Sequence, residues 1–270
     1  MMAIQVKAGE ILQNRLGRFR HDNMIGLQLG SQVPSIDGKK YLHLLRPTPE
    51  LWTRALPHRT QIIYLPDIAF ILEMMEVRPG SIVIESGTGS GSFSHSIARA
   101  VGETGHLHTF DFHEERVKKV GAEFEAHGLS NRVTALWKDV CNDGFGLENV
   151  ADAVFLDLPS PWLAVAHAER ALRKDRIARI ACFSPCIEQV QRALTELAHH
   201  GFCELEMYEI VQRPMEVEQL DVLPLDRPNV VPGHKRPLET SMYCARPNTE
   251  IKGHTSYLYF GSLLPDRSDQ

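Results

Sequence analysis

The sequence has no apolar run near the roughly 20 residues that a membrane-spanning helix needs, so a membrane protein is not expected. Its opening, MMAIQVKAGE, lacks the charged-then-apolar layout of a secretory signal. It also lacks any C-x-x-C pair. The five cysteines, Cys141, Cys182, Cys186, Cys203 and Cys244, are odd in number and lie partly in apolar segments, which excludes a disulfide scaffold and predicts reduced, buried thiols of an intracellular protein. Positive charge is not in surplus either. Against 29 Lys+Arg stand 34 Asp+Glu, a net of −5, so the chain has no global field to hold a polyanion, and a solitary nucleic-acid binder is disfavoured. Any positive surface must be local or come from a partner. There is no internal repeat. What the chain does have is 270 residues, 43% of them hydrophobic, enough for one ordinary domain and a smaller appendage without a disulfide or metal staple.

From Ser81 onward, apolar strand-like runs alternate with helix-like stretches: SIVIES, SFSHSIARAV, HLHTFDF, EERVKKVGAEFEAH, RVTALWKDV, ADAVFLDLP, PWLAVAHAERALRK, RIARIACFS and CIEQVQRALTELAHH. This is the pattern of an α/β fold with a mostly parallel central sheet. In such sheets ligands bind outside the carboxyl ends of the strands, which directs attention to Glu85, Asp111, Asp139, Asp157 and Ser184. Residues 1–60 hold short runs broken by Gly and Pro and predict a small β-rich N-terminal domain; the core domain then occupies 61–270, opening on the helix YLPDIAFILEMMEV. A Pro-rich stretch at about 221–252 reads as a flexible insertion, and HTSYLYFGSLL alternates as a closing strand.

Glu85-Ser-Gly87-Thr-Gly89-Ser-Gly91 follows the strand SIVI and opens a helix, placing glycines where backbone turns sharply and approaches a ligand. The spacing G-x-G-x-G after an acid differs from the G-x-G-x-x-G of dinucleotide dehydrogenases and favours S-adenosylmethionine over NAD. Asp111, 20 residues past Gly91, ends the next strand, where a carboxylate can accept both hydroxyls of a ribose. An Asp there can equally cap the following helix. Asp139, with Val140, ends the strand after that; the carboxylate suits an adenine amine and Val140 the ring face.

The buried-strand pattern ADAVFL ends in Asp157-Leu158-Pro159-Ser160-Pro161-Trp162, an acid followed by a rigid turn. Methyl transfer to a ring nitrogen needs mainly an aligned acceptor. Adenine N1 is a weak nucleophile that gains positive charge when methylated. A carboxylate bonded to the N6 amine would orient N1, stabilise the cation and take the proton lost afterwards. Asp157 is the candidate for this role; the alternative is an Asp that caps the helix PWLAVAHAERAL. Because N1 lies on the Watson–Crick edge, the target base must be unpaired or flipped out.

The segments RPTPELW, LPHRTQIIY, ESGTGSGS, GHLHTFDFH, DVC with GFG after it, ADAVFLDLPSPW, FSPCIEQVQR and GHT carry a family resemblance. Together they resemble the catalytic subunit of tRNA (adenine-58-N1) methyltransferase, eukaryotic type, a class I S-adenosylmethionine-dependent enzyme with a Rossmann-like fold. The resemblance implies cofactor contacts from Ile63, Ser90, Gly91, Ser92, Asp111, Arg116, Asp139 and Val140, alongside Glu85, Gly87 and Gly89 of the loop. It implies Asp157 at the target base, adenosine 58 in the tRNA T-loop, and Tyr64 near it. His58 and Arg59 stand where RNA would be met or are simply exposed, and His254 matches a signature of underived role.

The resemblance further implies a partner, a homologous noncatalytic RNA-binding subunit in a two-plus-two heterotetramer, and nuclear residence. Two departures stand out. The N-terminal module looks shortened, with no strands evident before RFRHDN, and Glu218 occupies a place where relatives tend to carry Arg. Rival readings are a methyltransferase for another RNA base, a noncatalytic RNA-binding scaffold and a dehydrogenase. The DLPSPW turn, the retained glycine loop and the glycine spacing, respectively, argue against them.

Overall fold

The computed structural model describes residues 2–56, 60–221, 241–248 and 255–266. His58, Arg59 and His254 lie outside the described residues, as do 222–240 and 249–252 of the Pro-rich stretch. The chain forms two compact units, one of Met1–Tyr208 with Tyr257–Gln270 and the other of Glu209–Ser256.

The first unit begins with two small antiparallel hairpins, β1 (Ile11–Asn14) with β2 (Gly17–Arg20) and β3 (Gln32–Pro34) with β4 (Tyr41–His43). Phe19, Met24 and Val33 form their core, backed by Leu12, Leu42 and Leu44. The first hairpin answers the apparent lack of early strands. Its turn has no Asn-Gly pair to announce it; instead Asn14 Oδ1 accepts the Leu16 N–H in an Asx turn, and Gly17 takes a φ of 133°. Helix α1 (Pro49–Ala55) follows, started by Thr48, whose hydroxyl accepts the Leu51 N–H, and by Pro49 at the first helical position. Helix α2 (Leu65–Met74) also starts on a proline, Pro66.

Strand and helix then alternate: β5 (Ile82–Ser86), α3 (Ser92–Val101), β6 (His106–Asp111), α4 (Glu114–Ala126), β7 (Val133–Trp137), α5 (Val140–Asp143), β8 (Ala153–Leu156), α6 (Val165–Ala171), β9 (Ala178–Ser184), α7 (Ile187–His199) and β10 (Cys203–Tyr208). In the second unit, β11 (Met215–Asp221) pairs antiparallel with β12 (Ser241–Pro247), and Arg246 bonds Glu218 at 2.6 Å. The expected flexible insertion thus holds paired strands at its described ends. Strand β13 (Tyr257–Leu263) returns to the first unit.

The sheet order is β10-β13-β9-β8-β5-β6-β7, with β9, β8, β5, β6 and β7 parallel and β13 antiparallel to both its neighbours. This is the expected Rossmann-like α/β sheet. β13 is the expected closing strand; it lies inside the sheet, between β10 and β9, and Tyr259 is fully buried. The central strand β8 is apolar throughout because both its faces are covered: Val154 and Leu156, with Ile180 and Cys182 of β9, face a core shared with Ala168, Val190 and Leu197 of the helices. The cysteine expectation needs correcting. All five are free, but Cys186, ahead of α7, and Cys244, on β12, are exposed.

Candidate active site

At the carboxyl end of β5 the chain turns through Gly87, Gly89 and Gly91, all at positive φ (98°, 56° and 73°), into α3. The loop is pinned from below and from both sides. The Gly87 and Thr88 N–H groups donate to the Phe110 carbonyl at the end of β6, and the Thr88 hydroxyl meets that of Thr109 at 2.6 Å. From the segment before α2, the Thr60 hydroxyl meets Ser90 Oγ at 3.1 Å, and Ser92 Oγ reaches both the Thr53 hydroxyl (2.9 Å) and the Ile63 carbonyl (3.5 Å). At Gly87 there is no room for a side chain, since a Cβ would sit 2.3 Å from the Asp157 carbonyl oxygen. The glycine loop and the DLPSPW turn are therefore in backbone contact.

Three acids converge here. Glu85 is 1% exposed, accepts from Ser94 Oγ at 2.6 Å, and is pushed up to about 8 by burial, with the charges of Asp157 and Asp111 adding to it. It lies beneath the loop, not on its surface. The Asp111 carboxylate accepts from the Gly89 and His113 N–H groups and, through both oxygens, from Arg116 Nη1 at 3.1 and 3.0 Å. Asp157 ends β8, its N–H donating to the Ser86 carbonyl. Its carboxyl is pushed up to about 7, first by desolvation and then by repulsion from Asp111.

Asp157 does not cap a helix: the turn after it starts at Ser160 and α6 at Ala164, neither with a side-chain cap. Asp139 does cap one, accepting the Cys141 N–H at 3.0 Å at the start of α5 and the Asn142 amide at 2.7 Å. Val140 belongs to the main core, and Ile63 is buried as well. Tyr64 is 48% exposed at the start of α2. Thr60, Thr88, Thr109 and the Phe110 carbonyl escaped the sequence reading. They support the loop but carry no motif of their own.

The residues present suit a cationic nucleoside cofactor. Acids that repel one another around an open-backboned glycine turn favour a ligand bringing positive charge, as a sulfonium with an α-amino group does. The cavity of about 410 Å³ lined by Gly80, Ser81, Asp152, Arg173 and Arg179 is at the other end of the strands. Its arginines are engaged, Arg173 with Asp152 and Asp175, and Arg179 with Glu76 and Glu204. Among the described residues there is no metal-ligating cluster and no helix long and apolar enough to cross a membrane.

Known proteins agree with this architecture. The family model of the tRNA methyltransferase complex GCD14 subunit matches residues 40–231. The tRNA (adenine(58)-N(1))-methyltransferase catalytic subunit TRM61 of Candida albicans is 41% identical, over 97% of this chain and 91% of that protein. Its namesake in Yarrowia lipolytica is 46% identical, over 80% of this chain and 55% of that one. Among solved structures, an S-adenosylmethionine-dependent O-methyltransferase of Thermotoga maritima superposes with a TM-score of 0.79 at 28% identity, covering 98% of this chain and 89% of its own. The tRNA (m1A58) methyltransferase TrmI of Aquifex aeolicus gives 0.71 at 24% identity, covering 97% and 92%, and speaks to the fold alone. With the class I methyltransferase sheet, the glycine loop and matches of this length together, the chain belongs to the GCD14 family of tRNA methyltransferase complex subunits, the family of the TRM61 catalytic subunits.

Proposed function

We propose that this chain is the catalytic subunit that transfers a methyl group from S-adenosylmethionine to N1 of adenosine 58 in the T-loop of tRNA. The observation that carries the reading is Asp157: a carboxyl at the end of β8, held against the glycine loop, with its ionisation pushed up to about 7. S-adenosylmethionine supplies the methyl group from its sulfonium. The chain's residues supply orientation and charge. The ionised Asp157 accepts a hydrogen bond from the N6 amine, which aims the N1 lone pair and offsets the positive charge the ring acquires. Its raised pKa also suits it to take up the proton released afterwards. A similar fold in an O-methyltransferase supports the view that the sheet alone does not select the acceptor. The choice of adenine rests on the Asp157 turn and on relatives that match over nearly the whole chain.

For the cofactor we propose the loop Gly87, Gly89, Ser90, Gly91 and Ser92 with Ile63, Glu85, Asp111, Arg116, Asp139, Val140 and Asp157, and Tyr64 near the target base. The four hydrogen bonds at Asp111 fix its carboxylate. A ribose hydroxyl arriving there competes with Arg116, the one partner that is a mobile side chain. Residues 1–60 we take as a β-rich N-terminal domain ahead of the methyltransferase core. A homologous noncatalytic subunit in a two-plus-two assembly is part of the proposal. The net charge of −5 supports it, as does Glu218, which is paired with Arg246 and offers no cation to a phosphate. Nuclear residence rests on the family resemblance.

The test is to incubate the chain, alone and with its noncatalytic partner, with labelled S-adenosylmethionine and unmodified tRNA, and to map the product by mass spectrometry. Label at N1 of adenosine 58, absent with Asp157→Ala and with a tRNA lacking that adenosine, is the expected result. Cofactor binding without label in any tRNA adenosine would overturn the substrate assignment and leave the fold intact.

A further inference from the structure

His95 lies on α3, one turn beyond the cofactor loop, and no step above uses it. It is buried, and its Nδ1 stands 2.5 Å from the Gly91 carbonyl oxygen. A carbonyl can only accept, so Nδ1 carries the proton. The other ring nitrogen, Nε2, stands 2.8 Å from Nδ1 of His127, the residue that ends α4. Burial pushes His95 down to about 4, which keeps the ring neutral; Nε2 is then bare and accepts the His127 Nδ1–H. Trp52 of α1 closes the cluster, with its ring 4.7 Å from that of His127 and 5.6 Å from that of His95. On the same side, Glu50 of α1 is paired with Arg99 of α3 at 2.5 Å.

Gly91 is where this cluster meets the loop. Its carbonyl is the first acceptor of α3, it has a φ of 73°, and any Cβ there would meet Val120 of α4 at 2.9 Å. The same carbonyl also accepts the His95 backbone N–H at 3.3 Å. Two bonds from one residue to one carbonyl fix the tilt of the Gly91 peptide, and with it the direction of the N–H groups that open α3. Those N–H groups are the ones a cofactor at the start of this helix would meet.

On the reading of the function given above, we propose that His95 is a positioning residue for the cofactor loop: its Nδ1–H holds the Gly91 carbonyl while His127 and Trp52 hold its ring. The segment RPTPELW then acquires a role. Its Trp52 ties α1 to the cofactor loop through a hydrogen-bonded histidine pair, so the piece of chain ahead of the core and the loop are set together.

The test separates the two ring nitrogens. In the full chain, His95→Asn retains an N–H close to where Nδ1 stood, and His95→Gln places its amide where Nε2 stood. Binding of S-adenosylmethionine is measured by calorimetry, and kcat and KM with tRNA and the partner subunit. Losing the Gly91 bond in His95→Gln is expected to weaken cofactor binding about five- to tenfold and leave kcat at saturation within about twofold, with His95→Asn close to wild type. His127→Leu, which leaves His95 in place but frees its ring, is expected to lose less and to add nothing in combination with His95→Gln. If His95→Gln fails to fold, His127→Leu against wild type carries the comparison. ¹⁵N shifts of the His95 ring are expected to show the Nδ1-protonated form.

Wild-type affinity in His95→Gln, equal loss in His95→Asn, or an Nε2-protonated ring would overturn the proposal. If wild-type protein binds no S-adenosylmethionine, the functional reading fails instead. The ring shifts, which need no cofactor, still decide the bond.

Discussion

Replacing Asp157 by Asn removes one charge and leaves an oxygen that can still accept a hydrogen bond, so it isolates what the charge does. In the folded protein the carboxyl is displaced from 3.8 to about 7. That displacement corresponds to about 4 kcal/mol of penalty on the ionised form, an upper limit once relaxation is allowed for. The sign follows from linkage. The folded state holds this proton more tightly than the unfolded chain, so the penalty is absent below pH 4, grows with pH, and is complete above about 7. Asn never carries it. Asp157→Asn is therefore expected to be more stable than wild type by on the order of 2–4 kcal/mol at pH 8 and equal to it near pH 4. Activity moves the other way: without the charge that offsets the developing cation, kcat/KM falls about 100- to 1,000-fold. Wild-type kcat/KM is expected to rise about tenfold per pH unit below 7 and then level, and the variant is expected to lack that rise. Denaturant melts from pH 4 to 8.5 and a pH–rate profile with saturating partner decide the matter. A variant no more stable than wild type at pH 8, or a pH profile unchanged by the substitution, would refute the reasoning.

Gly87→Ala places a methyl 2.3 Å from a backbone oxygen at a φ of 98°, so loop and catalytic turn must separate; a loss of more than about 2 kcal/mol, with weaker cofactor binding and lower kcat together, is expected in melts and kinetics. Gly121, inside α4 with open space around it, makes the contrast: Gly121→Ala is expected to raise stability by about 0.5–1 kcal/mol and leave kinetics unchanged. Glu85→Gln keeps an acceptor for Ser94 and removes a group pushed up to about 8, so its stability advantage over wild type is expected to widen from pH 4.5 to 8 and stay constant above.

Legibility in the sequence followed the range of the interactions. The glycine loop, the strand-end acids and the alternation of β and α are local patterns, and Asp157 stood out because a proline turn followed an apolar run. What raises its pKa did not, because its burial is a property of the assembled fold and the Asp111 charge comes from another strand 46 positions earlier. His95 is one polar residue inside SFSHSIARAV, and its partner His127 is 32 positions away, so nothing in either segment marks the pair. The β1–β2 hairpin was missed because its strands are 4 residues each and the turn rests on an Asx bond. In β11 the alternation of Met215 and Val217 with Glu216 and Glu218 was available and was masked by the prolines beyond it. That HTSYLYFGSLL is a strand was readable, but which strands flank it is a property of the whole chain.

That placement of β13 has a consequence for biosynthesis. Among the described residues β10 joins the sheet only through β13, and the 48 residues Glu209–Ser256 are made between them. While the ribosome is adding those residues, β9 presents a bare row of backbone donors and acceptors and β10 has nothing to pair with. The nascent protein therefore spends seconds as an open sheet with an adhesive flank, at ordinary elongation speeds of about 5–20 residues per second. β13 acts as the latch that ends this vulnerable interval, which makes the time between the synthesis of β9 and that of β13 the period in which chaperone protection of this sheet counts most.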